Sequence, residues 1–86
     1  MKIKEGYKLY RKSDRAIVLP TRSDLNQDLM ITLNDTGAFL WEQLQKETDE
    51  TALVAAVLDA YVVDKETAAK YVEDFVKKLR DLDILA

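Results

Sequence analysis

Ile31-Thr-Leu-Asn-Asp-Thr-Gly-Ala-Phe-Leu-Trp-Glu-Gln-Leu44 changes its period part-way along. From Leu29, just upstream, to Leu33 the apolar residues alternate. Leu29, Ile31 and Leu33 fall on one face and Met30 and Thr32 on the other, the period of a half-buried strand. From Asn34 the period becomes helical, with Gly37, Leu40, Trp41 and Leu44 at i, i+3, i+4 and i+7. Asn34 sits at the change, where its side-chain oxygen can accept from an amide of the first helical turn, and Asp35 adds negative charge near the positive end of the helix dipole. The stretch therefore predicts a strand running through a cap into an amphipathic helix. A glycine inside a helix costs ~1 kcal/mol relative to alanine, so Gly37 predicts a close backbone contact on the buried face. Trp41 is expected to anchor the core, while Phe39, roughly opposite the stripe, either packs under the sheet or lies exposed.

Upstream, Tyr7 to Arg11 alternates as a half-exposed strand, with Tyr7, Leu9 and Arg11 on one face and Lys8 and Tyr10 on the other. Ser13-Asp14 supplies turn chemistry. Ala16-Ile-Val-Leu-Pro20 reads as the second strand, ended by a proline that has no amide hydrogen to donate. Thr21 to Gln27 is polar and aperiodic, so it predicts a loop. The result is an antiparallel meander whose third strand is an edge, with a row of unpaired N–H and C=O groups unless something covers it.

Downstream, Lys46 to Glu50 is a charged break, with Thr48 or Asp49 as the next cap. The second helix is expected to be short and mostly buried. It carries Leu53, Val54, Val57, Leu58 and Tyr61 on one side, with Ala52, Ala55, Ala56 and Ala60 allowing close helix approach. Val62-Val63 breaks the pattern and Asp64 caps the third and longest helix, whose core stripe is Ala68, Val72, Phe75, Val76 and Leu79. Lys77, Lys78 and Arg80 suit the C-terminal end of the dipole, and Leu82, Ile84 and Leu85 are expected to fold back and close the core. The fold class is thus α+β, a three-stranded antiparallel sheet followed by three helices, in a single domain over residues 1–86.

Composition narrows the function. At 86 residues, 48% hydrophobic and 34% charged, the chain fits one ordinary globular domain. It has no cysteine, so disulfides and thiolate metal sites are ruled out, and a cytoplasmic location is the default expectation. Met1 to Gly6 lacks the apolar core of a secretory signal, and no apolar run approaches the ~20 residues that span a bilayer. There is also no histidine, the commonest general base and metal ligand. Ser13 and Ser23 lie in no nucleophile elbow, and pairs such as Glu73-Asp74 or Asp81 and Asp83 read as solvated helix charges. Gly6 and Gly37 are isolated, so no phosphate-cradling loop exists. Neither an enzyme nor a cofactor or metal is expected.

Three binding classes remain. Strands followed by three helices could be a winged-helix DNA binder. However, the net charge is −3, and on the third helix Lys65, Lys70, Lys77, Lys78 and Arg80 are interleaved with Glu66, Glu73, Asp74 and Asp81, which nearly cancels phosphate attraction, so no nucleic-acid partner is expected. A structural or regulatory subunit of a larger enzyme is a second class. The third is peptide capture. Tyr71, Asp74 and Lys78 stand at i, i+3 and i+7 beside the core stripe. They are either a solvated flank or one wall of a groove in which an extended peptide adds to the edge strand at Asp28 to Leu33.

Ile31 to Leu44 closely resembles the LN-[ED]-TG-A-x-x-W-x-x-L signature of PqqD-like proteins, small domains related to the pyrroloquinoline quinone (PQQ) synthesis protein D and also called precursor-peptide (RiPP) recognition elements. The similarity continues through Ala52 to Asp64, like the family's second helix and its Y-x-V-D exit, and through Val72 to Leu79 with Ile84-Leu85, like its terminal helix and tail. Asp83 stands where many relatives have a glycine. The resemblance implies a winged-helix-like arrangement and a non-catalytic role. In that role the domain binds the leader of a ribosomally made precursor peptide as an extra strand beside the third strand and against the third helix. It then presents the leader to a modifying enzyme, often a radical S-adenosylmethionine (radical SAM) enzyme. The matching positions are Leu29, Met30, Ile31, Thr32 and Leu33, with Tyr71, Asp74, Phe75 and Lys78. Neither PQQ as the product nor a homodimer is decided by these residues.

Overall fold

The computed structural model describes residues 1–86. The elements are β1 (Tyr7–Lys12), β2 (Arg15–Pro20), β3 (Ile31–Leu33), α1 (Asp35–Gln43), α2 (Glu50–Ala60) and α3 (Lys65–Asp81), an α+β chain with its sheet first and its helices after, as the pattern predicted. Two compact units arise, one formed by Lys4–Phe39 and the other by Met1–Ile3 with Leu40–Ala86.

In the first unit the strands pair antiparallel in the order β1-β2-β3. The register aligns Leu9, Val18 and Ile31 in one row and Tyr10, Ile17 and Thr32 in the next. These rows face opposite sides. Val18, Ile31, Ala16 and Leu33 are buried, while Tyr10 and Thr32 are exposed. The two-residue hairpin loop is Ser13-Asp14, and Ser13 takes a left-handed φ of 55°. Pro20 ends the ladder as expected. Gly6 continues the pairing outside it by accepting from the Thr21 amide at 2.7 Å, with a φ of +105° that only glycine adopts readily.

The loop expected over Thr21 to Gln27 is bonded to itself. The Arg22 guanidinium grips Asp24 at 2.6 and 3.0 Å, and the Gln27 amide donates to the carbonyls of Arg22 and Leu25. The Arg22 pairing lowers the pKa of the Asp24 carboxyl. The third strand is shorter than its alternation suggested, three residues and not five. Asn26 explains this: its side-chain oxygen accepts from the Asp28 amide and its carbonyl from the Leu29 amide, which commits both residues to a turn.

Asn34 caps α1 as predicted, accepting from the Gly37 amide at 2.8 Å. Gly37 is buried, and a Cβ there would stand 3.3 Å from Leu33 Cβ and from the Asn34 cap oxygen. The close approach is therefore to side-chain atoms of the cap and of the last residue of β3, and not to backbone as expected. Phe39 is half-buried.

The second unit holds most of the buried apolar side chains. Leu40, Trp41 and Leu44 of the α1 stripe, Leu53 and Val57 of α2, and all five predicted residues of α3 are 8% exposed or less. Asp49 and Asp64 cap α2 and α3 by accepting from the amides of Ala52 and Thr67. At the far end of α3 the Asp83 amide donates to the Arg80 carbonyl and the Ile84 amide to the Leu79 carbonyl, with Asp83 at a φ of 57°. This is a Schellman turn, in which Ile84 and Leu79 are both fully buried. Ile84 thus closes the core as expected and Leu85 is half-buried, but Leu82 points outward, 39% exposed, because the turn reverses the chain after it.

One contact and one burial in this unit have no counterpart in the sequence pattern. Ile3 is buried, pairs with Leu85 in an antiparallel bridge and donates to the Leu44 carbonyl at 2.9 Å. In addition, α2 is not mostly buried. Only Leu53 and Val57 are, and Ala52, Ala55, Leu58 and Ala60 are exposed.

Candidate functional site

The outer edge of β3 has no strand beside it. Within a strand, alternate residues direct both backbone groups to opposite neighbours, so part of Ile31–Leu33 presents N–H and C=O away from β2. Ile31 and Leu33 turn their side chains inward, 3% and 4% exposed, and Thr32 lies on the outer face opposite Ile17. Met30 stands just before the strand, 63% exposed, and the turn that uses the amides of Asp28 and Leu29 leaves its amide alone. Leu29 is half-buried and belongs to that turn. Of the five strand-side residues singled out in the sequence, Met30 to Leu33 therefore form one edge segment, and Leu29 leads into it.

Across the outer face Tyr10 and Leu19 are also exposed, and the Lys8 ammonium lies 5.4 Å from the centre of the Tyr10 ring. At the end of β3 a shallow depression is lined by Asp14, Arg15, Thr32, Leu33 and Asn34.

The four residues singled out on α3 share one side of that helix. Tyr71 is 43% exposed and Lys78 is exposed, whereas Phe75 is only 8% exposed and belongs chiefly to the core. Asp74 is held by Lys70, whose ammonium reaches both carboxylate oxygens at 2.9 and 3.0 Å, and this pairing raises the Lys70 pKa. Lys77 is bridged to Asp81 at 3.1 Å. Two of the basic residues of α3 are thus spent within the helix. Tyr71 and Lys78 are left as the extended side chains of this flank, with Asp74 as a fixed negative charge between them.

Sequence reading missed Asn26, which sets where the usable edge begins. An asparagine two residues before an acidic residue in a polar loop is the signal of an Asx turn that could have found it.

A family model for coenzyme PQQ synthesis protein D (PqqD) matches residues 16–85, from β2 through the C-terminal tail. The chain belongs to the PqqD family. Among solved structures, this PqqD-family chain is similar to TbiB1 in complex with the TbiA(beta) leader peptide. The two share 22% identity, the match covers 99% of this chain and 94% of that one, and the TM-score is 0.77. It is also similar to a lasso peptide synthetase B1 complexed with the leader peptide, at 17% identity, 96% and 93% coverage and a TM-score of 0.72. At these identities the likeness establishes the shared fold. No curated protein matches the chain.

Proposed function

We propose that this PqqD-family chain is a non-catalytic adaptor that captures the leader of a ribosomally made precursor peptide and presents it to a modifying enzyme, of the radical SAM class. The observation that carries the reading is the open outer edge of β3, in a fold shared with two proteins whose structures hold leader peptides. An extended leader would add there as a fourth strand, taking main-chain hydrogen bonds from the segment Met30 to Leu33. By holding the leader, the adaptor raises the concentration of the attached core peptide at the enzyme.

Magnitudes say what else the leader needs. Three or four main-chain bonds contribute roughly 1 kcal/mol each, whereas micromolar binding requires ~8 kcal/mol. Side chains must supply the rest. We assign that part to Tyr71 and Lys78, with the Asp74 carboxylate and the exposed edge of Phe75 beside them, so that the leader is read by α3 as well as paired by β3.

Met30→Pro tests the strand addition. Met30 is exposed and outside the β2–β3 ladder, so proline removes an edge amide without touching the pairs that hold β3. Affinity for the leader encoded beside this chain's gene is expected to fall at least ~10-fold, corresponding to one or two lost bonds, with the unfolding midpoint little changed. Undiminished affinity in a folded Met30→Pro protein would contradict the reading.

A further inference from the structure

Eight of the eleven residues of α2 are apolar, yet only Leu53 and Val57 are buried. A helix that keeps one face in water normally covers that face with charge. Instead, α2 exposes Ala55 and Leu58 and half-exposes Val54. With Ala69 and Val72 of α3, these residues line a continuous shallow groove between the two helices. The helices are joined by Tyr61 to Asp64 and run antiparallel, so the groove has two distinct ends. Glu50 and Glu73 stand at one end, Leu58 and Lys65 at the other. None of these three charges forms a salt bridge, and the neighbouring Lys70 is bonded to Asp74.

We infer that this groove is where a second copy of the chain docks. A two-fold axis running across the grooves sets one against the other in reverse, the arrangement that brings opposite charges together. Each Lys65 then faces the partner's Glu50 and the partner's Glu73, and each Leu58 comes to lie at the carboxylate-flanked end, beside the partner's Thr51. The small side chains of Ala55 and Ala69 sit near the middle, where the two helix pairs must approach most closely. The same surface thus supplies apolar side chains and both signs of charge. The side of α3 that carries Ala69 and Glu73 lies across the core stripe from the side that carries Tyr71, Asp74 and Lys78, so self-association leaves the proposed peptide-reading flank free. At about three helical turns the contact is short, and the dimer is expected to be a micromolar one.

Sedimentation equilibrium of the full chain from ~1 to ~500 µM reads this directly, with dimer growing in across the range. Ala55→Glu, at an exposed position that leaves the fold intact by circular dichroism, should weaken the dimer at least ~10-fold by burying an unpaired charge. Lys65→Glu and Glu73→Lys should each weaken it several-fold, and the double variant should recover most of the loss, because the two positions meet across the symmetry axis. A chain that stays monomeric to ~500 µM overturns the inference and assigns the groove to another protein. A dimer indifferent to Ala55→Glu, or a double variant no better than either single one, overturns it as well. Leader binding by Met30 to Leu33 is measured separately and does not depend on the outcome.

Discussion

α3 and β3 are built on opposite terms. α3 satisfies itself: Asp64 closes its first turn, a Schellman turn closes its last, and its apolar stripe is buried throughout. β3 has three residues, a neighbour on one side only, and an edge that its own unit does not complete. The closed element can hold side chains in fixed places, whereas the open one offers main-chain groups that any extended peptide can use. Under the proposed function, leader recognition divides into a sequence-tolerant part at β3 and a sequence-reading part on α3, and the two should respond differently to mutation.

The largest difference is expected in stability. Leu79→Ala in α3 should cost ~2 to 5 kcal/mol and Trp41→Ala, just beyond β3 in α1, ~3 to 5 kcal/mol, since both are buried and leave cavities. Thr32→Ala on the exposed face of β3 should stay within ~0.5 kcal/mol. Urea unfolding checks all three, and a Thr32→Ala cost rivalling that of Leu79→Ala would erase the contrast. Asn34→Ala tests the joint between strand and helix. Losing the bond to the Gly37 amide should destabilise the domain by ~1 kcal/mol.

Next is the far end of α3, where Asp83 holds a left-handed φ of 57° at a cost that glycine avoids. Asp83→Gly should therefore raise stability by ~0.5 to 1 kcal/mol in thermal unfolding, a small gain confined to the closed element.

The smallest effect is a pH dependence. The Asp64 carboxyl accepts from Thr67, which lowers its folded-state pKa below the ordinary carboxylate value. Its contribution to stability is therefore present above the unfolded-state pKa and is lost as the pH falls through the folded-state pKa. Asp64→Asn, which keeps the capping bond without the titration, should flatten the acid limb of the stability profile. An unchanged limb would remove Asp64 from the account.

The same contrast explains what could be read from the sequence. α3 was legible residue by residue, because one apolar face, one cap and one basic last turn leave a helix a single way to lie. The change of period at Asn34 located the end of β3 for a similar reason. α2 was misjudged because a helix apolar on most sides carries no direction: periodicity tells which face can be buried only when the other face is polar. The start of β3 was misplaced because alternation at Leu29 continued past the point where Asn26 had already taken the amides. The pairing of Ile3 with Leu85 joins opposite ends of the chain, a separation that no local pattern encodes. The α3 flank was visible as spacing, but the Lys70–Asp74 pair that fixes one of its charges was not singled out.

The central claim, that a leader peptide completes the edge of β3, is tested most directly by amide hydrogen exchange of the protein with and without the leader encoded beside its gene. The account predicts slowed exchange at edge amides within Met30 to Leu33, together with chemical-shift changes around Tyr71 and Lys78. Saturable binding that leaves exchange from Met30 to Leu33 unchanged would contradict it.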